Sequence, residues 1–267
     1  MSKQPIGFFD SGLGGLTVAR AVSELLPGED LVYIGDSGRC PYGPRPADEV
    51  RRFSLQILDR LAAEHVKLAI VACNTATAAL MAAWPTAYPF PVLGVIGPGA
   101  RAAVAATRTG RIGLIATEGT VRSGAYAQAI SELNGDAQVF GQGCPKFVAA
   151  VEAGLSQWAP EVVAAAREYI RPLLGQGIDT LILGCTHFPH LAGVIGQVAG
   201  PGVTLVDPAG EVAAEARSLL AAAGQLAPAD GRAPLRRFYT SGDPEVFVKL
   251  GNVLWPDGVP DCQQIAF

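Results

Sequence analysis

Leu68-Ala69-Ile70-Val71-Ala72-Cys73-Asn74-Thr75 is an apolar run that stops on a thiol and then turns polar. The pattern returns as Thr180-Leu181-Ile182-Leu183-Gly184-Cys185-Thr186-His187, its cysteine 112 positions on (185 − 73). Short runs of aliphatic and β-branched residues read as strands buried on both faces, as in a parallel sheet covered by helices. Outward from Cys73, residues 6–9, 31–34, 68–72 and 92–96 read as strands, with helical patterns at 16–26, 47–64 and 76–83. Around Cys185 the rhythm repeats. Residues 112–116, 137–140, 181–184 and 203–206 read as strands, and 121–133, 161–174, 191–198 and 211–223 as helices. Such alternation implies βαβ units.

Two further matches keep the same order. Ile6-Gly7-Phe8-Phe9 parallels Ile112-Gly113-Leu114-Ile115 at an offset of 106 (113 − 7), and Val95-Ile96-Gly97-Pro98 parallels Leu205-Val206-Asp207-Pro208 at 110 (208 − 98). Buried parallel strands resemble one another anyway, so the shared cysteine is what points to duplication of one α/β unit. Residues 224–234, polar and bearing Pro and Gly, read as a linker. The strand pattern at 235–240 and the short helix at 245–250 are too little to fold alone and should complete one lobe. The expected fold is α/β, with two pseudo-symmetric lobes of mostly parallel sheet: residues 1–97 with 208–267, and residues 98–207.

Composition narrows the function. With 49% hydrophobic and 16% charged residues the chain supports a large core instead of disorder. No run of about 18 apolar residues suggests a membrane span, and Met1-Ser2-Lys3-Gln4-Pro5 lacks the pattern of a signal peptide, so a cytoplasmic location is expected. The net charge of −4 is scattered, without the basic patch that nucleic acid requires. Five widely spaced cysteines without C-x-x-C argue against disulfides and against a zinc or other metal site. The thiols are then free, and the question is which of them react.

Ligands of open parallel sheets bind beyond the carboxyl ends of the strands. That rule selects Asp10-Ser11-Gly12, Cys73-Asn74-Thr75 and Cys185-Thr186-His187. Helix N-termini at such points favour anions and thiolates. Duplicated lobes facing each other would set Cys73 and Cys185 on opposite walls of one cleft. Inverting a stereocentre that bears hydrogen needs a base on one face and an acid on the other, and a thiol of reference pKa ~8.5 suits either part. Asp10 would hold or relay a proton at Cys73, and His187 at Cys185. Ser11, Asn74, Thr75 and Thr186 offer donors to substrate carboxylates.

Plainer readings compete with each assignment. A cysteine after a buried strand is commonly a core residue, His187 could be structural, and Asp10 could be only the N-cap of the next helix. Cys40, Cys144 and Cys262 lack a strand-end setting and read as structural. Gly12-Leu13-Gly14-Gly15 has neither P-loop nor dinucleotide spacing; its glycines read as allowing close strand–helix packing. A pyridoxal phosphate route needs a Schiff-base lysine, and Lys3, Lys67, Lys146 and Lys249 lie outside the strand-end clusters. A reaction without cofactor is therefore expected.

Taken together, Ile6-Gly7-Phe8-Phe9-Asp10-Ser11-Gly12-Leu13-Gly14-Gly15-Leu16-Thr17-Val18, Pro41-Tyr42-Gly43, Ala72-Cys73-Asn74-Thr75-Ala76-Thr77 and Leu183-Gly184-Cys185-Thr186-His187 resemble the bacterial glutamate racemases. The resemblance runs to about Asp207 and, more weakly, to Thr240-Ser241-Gly242-Asp243. It implies two flavodoxin-like lobes with the active site between them, the chain returning at its end to complete the first lobe. It implies that Cys73 and Cys185 accept and donate the proton, aided by Asp10 and His187. Substrate contacts would come from Asp10, Ser11, Tyr42, Gly43, Asn74, Thr75 and Thr186. Glu152, in Phe147-Val148-Ala149-Ala150-Val151-Glu152, falls where the family carries a glutamate near the site, and Thr117 and Thr120 follow a strand into the pocket. The implied substrate is glutamate, and the implied product D-glutamate feeds peptidoglycan synthesis, hence cell-wall biogenesis and cell shape. Nucleic acid and membrane are not expected partners; a homodimer is left open.

Three positions depart from the family pattern: Cys40 and His190 where apolar residues are usual, and Phe188 in place of a tyrosine. Three other functions remain open on the residues alone. One is a related racemase acting on aspartate or a hydantoin. Another is a Cys–His hydrolase or lyase with one nucleophilic thiol. The third is a two-lobed binding module without catalysis.

Overall fold

The computed structural model describes residues 1–228, 231–255 and 258–267. Residues 229 and 230 of the expected linker thus lie outside the described residues. Along the chain run β1 (Ile6–Asp10), α1 (Leu16–Leu25), β2 (Leu31–Gly35), α2 (Ala47–Ala63), β3 (Leu68–Val71), α3 (Asn74–Met81), β4 (Val92–Gly94) and α4 (Ile96–Ala106). There follow β5 (Arg111–Ala116), α5 (Glu118–Ser123), α6 (Ala125–Leu133), β6 (Gln138–Gly143), α7 (Pro145–Glu152), α8 (Pro160–Leu174), β7 (Thr180–Gly184), α9 (Ala192–Ala199) and β8 (Thr204–Val206). The last elements are α10 (Ala209–Ala222), β9 (Arg236–Thr240), α11 (Pro244–Leu254) and β10 (Gln263–Gln264). Single 3₁₀ turns occupy Ser37–Arg39 and Phe188–Leu191.

Two compact units result: Met1–Val95 with Ala209–Phe267, and Ile96–Pro208. The first holds a six-stranded sheet of order β10-β9-β2-β1-β3-β4, the second a four-stranded sheet of order β6-β5-β7-β8. Every registered strand pair is parallel. In the first unit the two-residue period of the strands sends Phe8, Tyr33 and Ile70 to one core, with Leu16, Val212 and Trp255. It sends Phe9, Ile34 and Val71 to the opposite core, with Ile57, Leu58 and Leu80. Both faces are covered, which is why these strands read as apolar without alternation. The orphan strand after Pro234 becomes β9 and pairs with β2.

Ignoring β9 and β10, each unit lays out its first four strands as 2-1-3-4. The register carries the duplication to single residues: Gly7 pairs with Ala69 and Gly113 with Leu181, the offsets of 106 and 112 read from the sequence. The third match does not hold as a strand equivalence. Ala69 and Leu181 pair onward with Val92 and Leu205, an offset of 113 (205 − 92). Val95 and Ile96 leave the strand expected at 92–96: β4 ends at Gly94 and Ile96 opens α4. Pro98 sits in the first turn of α4, where a missing N–H costs no hydrogen bond.

Other local departures have equally local causes. The helix expected at 121–133 breaks at Gly124, whose φ of 68° is left-handed, giving α5 and α6. The helices α4 and α7 were not expected; α4 opens on a Gly- and Pro-bearing stretch, and α7 is a short helix begun by Pro145. β6 is half-exposed because it is the edge strand of its sheet. Among the described residues no helix is long and apolar enough to cross a membrane.

Candidate active site

In the first unit the carboxyl ends of β1, β2 and β3, and the turns that follow them, carry the candidate residues. β1 stops on Asp10, fully buried, and the Gly12 N–H donates to its Oδ2 at 3.1 Å. The Tyr33 hydroxyl of β2 donates to the Gly12 carbonyl at 2.9 Å and pins the turn from its other side. α1 begins only at Leu16, with Gly15 as N-cap and no side-chain cap. The reading of Asp10 as the N-cap of that helix is therefore wrong: its carboxylate closes a tight turn instead, five residues earlier.

β3 passes directly into α3, and Cys73 is the N-cap. Its Sγ accepts the Ala76 N–H at 3.4 Å, and its thiol donates to Ser11 Oγ at 3.8 Å. On ionisation the serine hydroxyl turns to donate, so sulfur as thiolate is met by two donors and by the positive end of a helix. Asn74 and Thr75, the first residues of α3, are buried beside it. Tyr42 and Gly43 follow the Ser37–Arg39 turn and a cis Cys40–Pro41 peptide. The Tyr42 hydroxyl donates to Asp36 Oδ2. Burial, then the Asp36 carboxylate, hold Tyr42 protonated far above the usual tyrosine range. Cys40 lies against the Gly12 turn: a Cβ on Gly12 would sit 3.5 Å from its Sγ.

The second unit gathers a different set. Thr117 N-caps α5 through the Thr120 N–H at 3.3 Å, and the two hydroxyls lie 3.0 Å apart. Cys185 ends the run of β7, with Sγ 3.5 Å from His187 Nδ1, and His187 Nε2 lies 3.3 Å from Glu152 Oε1. Sulfur, imidazole and carboxylate thus form one chain. A proton on Nε2, held by the carboxylate, leaves Nδ1 to take one from sulfur. Glu152 is the last residue of α7, which is anchored by Phe147 packed edge-on against Phe188 at 5.4 Å. The phenylalanine that replaces a tyrosine after His187 is fully buried and serves that contact. His190 has a buried Nε2 without a hydrogen-bond partner; burial, then His187, push its pKa down. Thr186 is buried next to Cys185.

Cys144 is fully buried in the core of the second unit, and burial, with Cys185 adding, raises its thiol well above the ordinary range. Cys262 is half-buried against the first unit's core, its thiol pushed up to about 12 by burial and Asp261. Lys67 is 2% exposed at the amino end of β3, the opposite end from Cys73, where it pairs with Glu29 at 2.5 Å. Among the described residues no group of three or more His, Cys, Asp or Glu could hold a metal ion. Asp36 and Arg39, which bind the Tyr42 turn, were missed by sequence reading. The strand-end rule, applied to β2, would have found them.

Against known proteins, the profile of the Asp/Glu/Hydantoin racemase family matches residues 15–216. Glutamate racemase of Symbiobacterium thermophilum is 48% identical over 265 residues, covering 99% of this chain and 95% of that protein. Among solved structures, a glutamate racemase isoform of Bacillus anthracis superposes with a TM-score of 0.94 at 40% identity, covering 100% of this chain and 99% of that one. Glutamate racemase of Francisella tularensis, solved with D-glutamate bound, gives 0.89 at 31% identity, covering 100% and 98%. With the family profile spanning most of the chain and relatives of this identity along its whole length, the chain belongs to the Asp/Glu/hydantoin racemase family.

Proposed function

We propose that this chain interconverts L- and D-glutamate without a cofactor, using Cys73 and Cys185 as the two acid–base groups. One cysteine, as thiolate, takes the proton from Cα; the C–H bond breaks and its electron pair stays on the substrate. The other gives its S–H proton to the opposite face, becoming thiolate in turn, so the sulfurs exchange roles for the reverse reaction. Asp10 assists Cys73, and His187, oriented by Glu152, assists Cys185. Ser11, Asn74, Thr75, Thr117, Thr120, Thr186 and the Tyr42-Gly43 turn bind the carboxylates and amino group. The product D-glutamate would supply peptidoglycan synthesis in the cytoplasm.

One observation carries this reading: Cys73 and Cys185 each follow the third strand within two residues, in two units of the same strand order. The Cys185–His187–Glu152 chain by itself also suits a nucleophilic thiol enzyme. That alternative gives Cys73 no part. Reduced protein in D2O, without pyridoxal phosphate, is expected to place deuterium at Cα of L-glutamate and to bring its circular dichroism to zero, far faster than with aspartate. Cys73→Ser and Cys185→Ser should each lower turnover by at least ~100-fold. Absence of exchange on glutamate refutes the proposal, and substantial racemisation by either serine variant refutes the two-base mechanism.

A further inference from the structure

Thr240-Ser241-Gly242-Asp243 is the one stretch of the family resemblance to which the proposed chemistry assigns no part. Register explains where it goes. β9 pairs with β2 so that Thr240 stands opposite Gly35, and the Ser241 N–H continues the ladder to the Gly35 carbonyl at 3.1 Å. Ser241 therefore arrives beside Asp36, the first residue after β2. Its hydroxyl donates to Asp36 Oδ1 at 2.6 Å and accepts the Gly38 N–H at 2.9 Å.

Asp36 is fully buried and collects three side chains. Besides Ser241 it accepts Arg39 Nε on both oxygens, at 2.9 and 2.7 Å, and the Tyr42 hydroxyl. The Arg39 guanidinium lies 4.0 Å from the centre of the Phe53 ring and 4.5 Å from that of Phe267, and its Nη1 donates to Gln56 at 2.6 Å. Its Nη2 is buried with no hydrogen-bond partner. Ring faces, the Asp36 carboxylate and the Gln56 amide thus hold this guanidinium in place. Phe267 is itself brought in by β10, where the Ile265 N–H donates to the Thr240 carbonyl at 2.8 Å.

We propose that Ser241 and Phe267 are positioning residues for the substrate-binding turn, acting through Asp36 and Arg39 on Tyr42 and Gly43. The segment after β9 then does more than extend the sheet. It fixes a turn that carries two of the proposed substrate contacts while touching no substrate itself. A burial-raised tyrosine that stays protonated, as Tyr42 does, keeps its hydroxyl on Asp36 at any physiological pH. The inference rests on the proposed glutamate reaction, because it assigns Tyr42 and Gly43 to that site.

The test is steady-state racemisation of glutamate by Ser241→Ala, Ser241→Thr, Phe267→Ala and Phe267→Trp, each compared with the parent chain. A turn that loosens before substrate arrives weakens ground and transition state alike, which raises KM and leaves kcat. Ser241→Ala should raise KM about tenfold with kcat within twofold, Ser241→Thr should restore it, and Phe267→Ala should raise it about threefold with recovery in Phe267→Trp. An unchanged KM in both alanine variants overturns the proposal, as does a parallel loss of kcat that threonine does not rescue. Should Ser241→Ala not fold, the exposed Phe267 pair decides by the same criteria. A parent chain inactive on glutamate defeats the reaction itself, an outcome distinct from either.

Discussion

Gly15→Ala tests the packing that sets Asp10 beside β3. A Cβ at this position would lie 2.6 Å from Asp10 Cβ, 2.8 Å from the Tyr33 hydroxyl and 2.9 Å from Ala72 Cβ. Ordinary carbon contacts begin near ~3.5 Å, so the tightest overlap is about 1 Å. Neither neighbouring Cβ can rotate away, because each is fixed directly to a Cα, at the end of β1 and just past the end of β3. Overpacking of this kind costs about 1–3 kcal/mol, offset in part by the ~0.4–1 kcal/mol gained from a stiffer unfolded chain. A net loss of about 1.3 kcal/mol follows, or roughly 3–5 °C in the midpoint for a protein of this size. Gly12→Ala is the matched control, since its nearest neighbour is Cys40 Sγ at 3.5 Å, an ordinary contact. It should stay within ~0.5 kcal/mol of the parent. Urea unfolding followed by hydrogen exchange reads both quantities: protection should fall in β1 and β3 and persist in β5 and β7. Equal stability of the two alanine variants would refute the reasoning.

Asp179, just before β7, accepts Thr107 Oγ1 at 2.6 Å and the Arg108 and Thr109 N–H groups at 2.7 and 2.8 Å. Burial raises its pKa, but these hydrogen bonds outweigh burial and hold the carboxyl well below the usual range. A folded pKa below the unfolded ~3.9 stabilises the protein above that pH, and the contribution fades as pH falls toward the folded value. Asp179→Asn should therefore cost about 1–3 kcal/mol at pH 7 and flatten the loss of stability below pH 4; urea midpoints at pH 7 and pH 3 that fall in parallel with the parent's would contradict this. Cys262, with its thiol near 12, should alkylate with iodoacetamide at pH 8 about a hundredfold more slowly than a free cysteine of pKa ~8.5. Peptide mass spectrometry over time would show it, and labelling at the free-thiol rate would not agree with its burial.

Much of the fold was legible because fully buried strands leave a plain trace. Phe8 and Phe9 lie back to back in two different cores, so neither could be polar, and the same holds along β2 and β3. What escaped reading obeys weaker rules. α4 hides behind Ile96-Gly97-Pro98-Gly99, a stretch that resembles a loop until tertiary packing selects helix. The break at Gly124 depends on a single left-handed residue inside a stretch that otherwise reads as one helix. The slip of the third sequence match shows the limit of aligning prolines, because the hydrogen-bond register of β4 and β8 moved independently of the residues that follow them.

At the candidate site, the strand-end places of the cysteines and the nearness of His187 to Cys185 were legible, and the longer-range contacts were not. The strand-end rule selected Asp10, Cys73 and Cys185, but the contact from His187 to Glu152 spans 35 positions and depends on α7, an unexpected helix. The two cysteines are equivalent in topology and unlike in surroundings. Cys73 accepts a helix amide and lies against a serine hydroxyl, groups that stabilise a thiolate as hydrogen-bond donors. Cys185 is met by an imidazole backed by a carboxylate, groups that can take a proton outright. Duplication supplied two thiols in one kind of position; divergence around them supplied two different ways of holding a negative charge. On the two-base reading, each enantiomer begins its reaction at a different one of these settings. The reaction is then symmetric in chemistry and asymmetric in pH response, with loss of the imidazole at His187→Asn weighing on steps where Cys185 exchanges its proton.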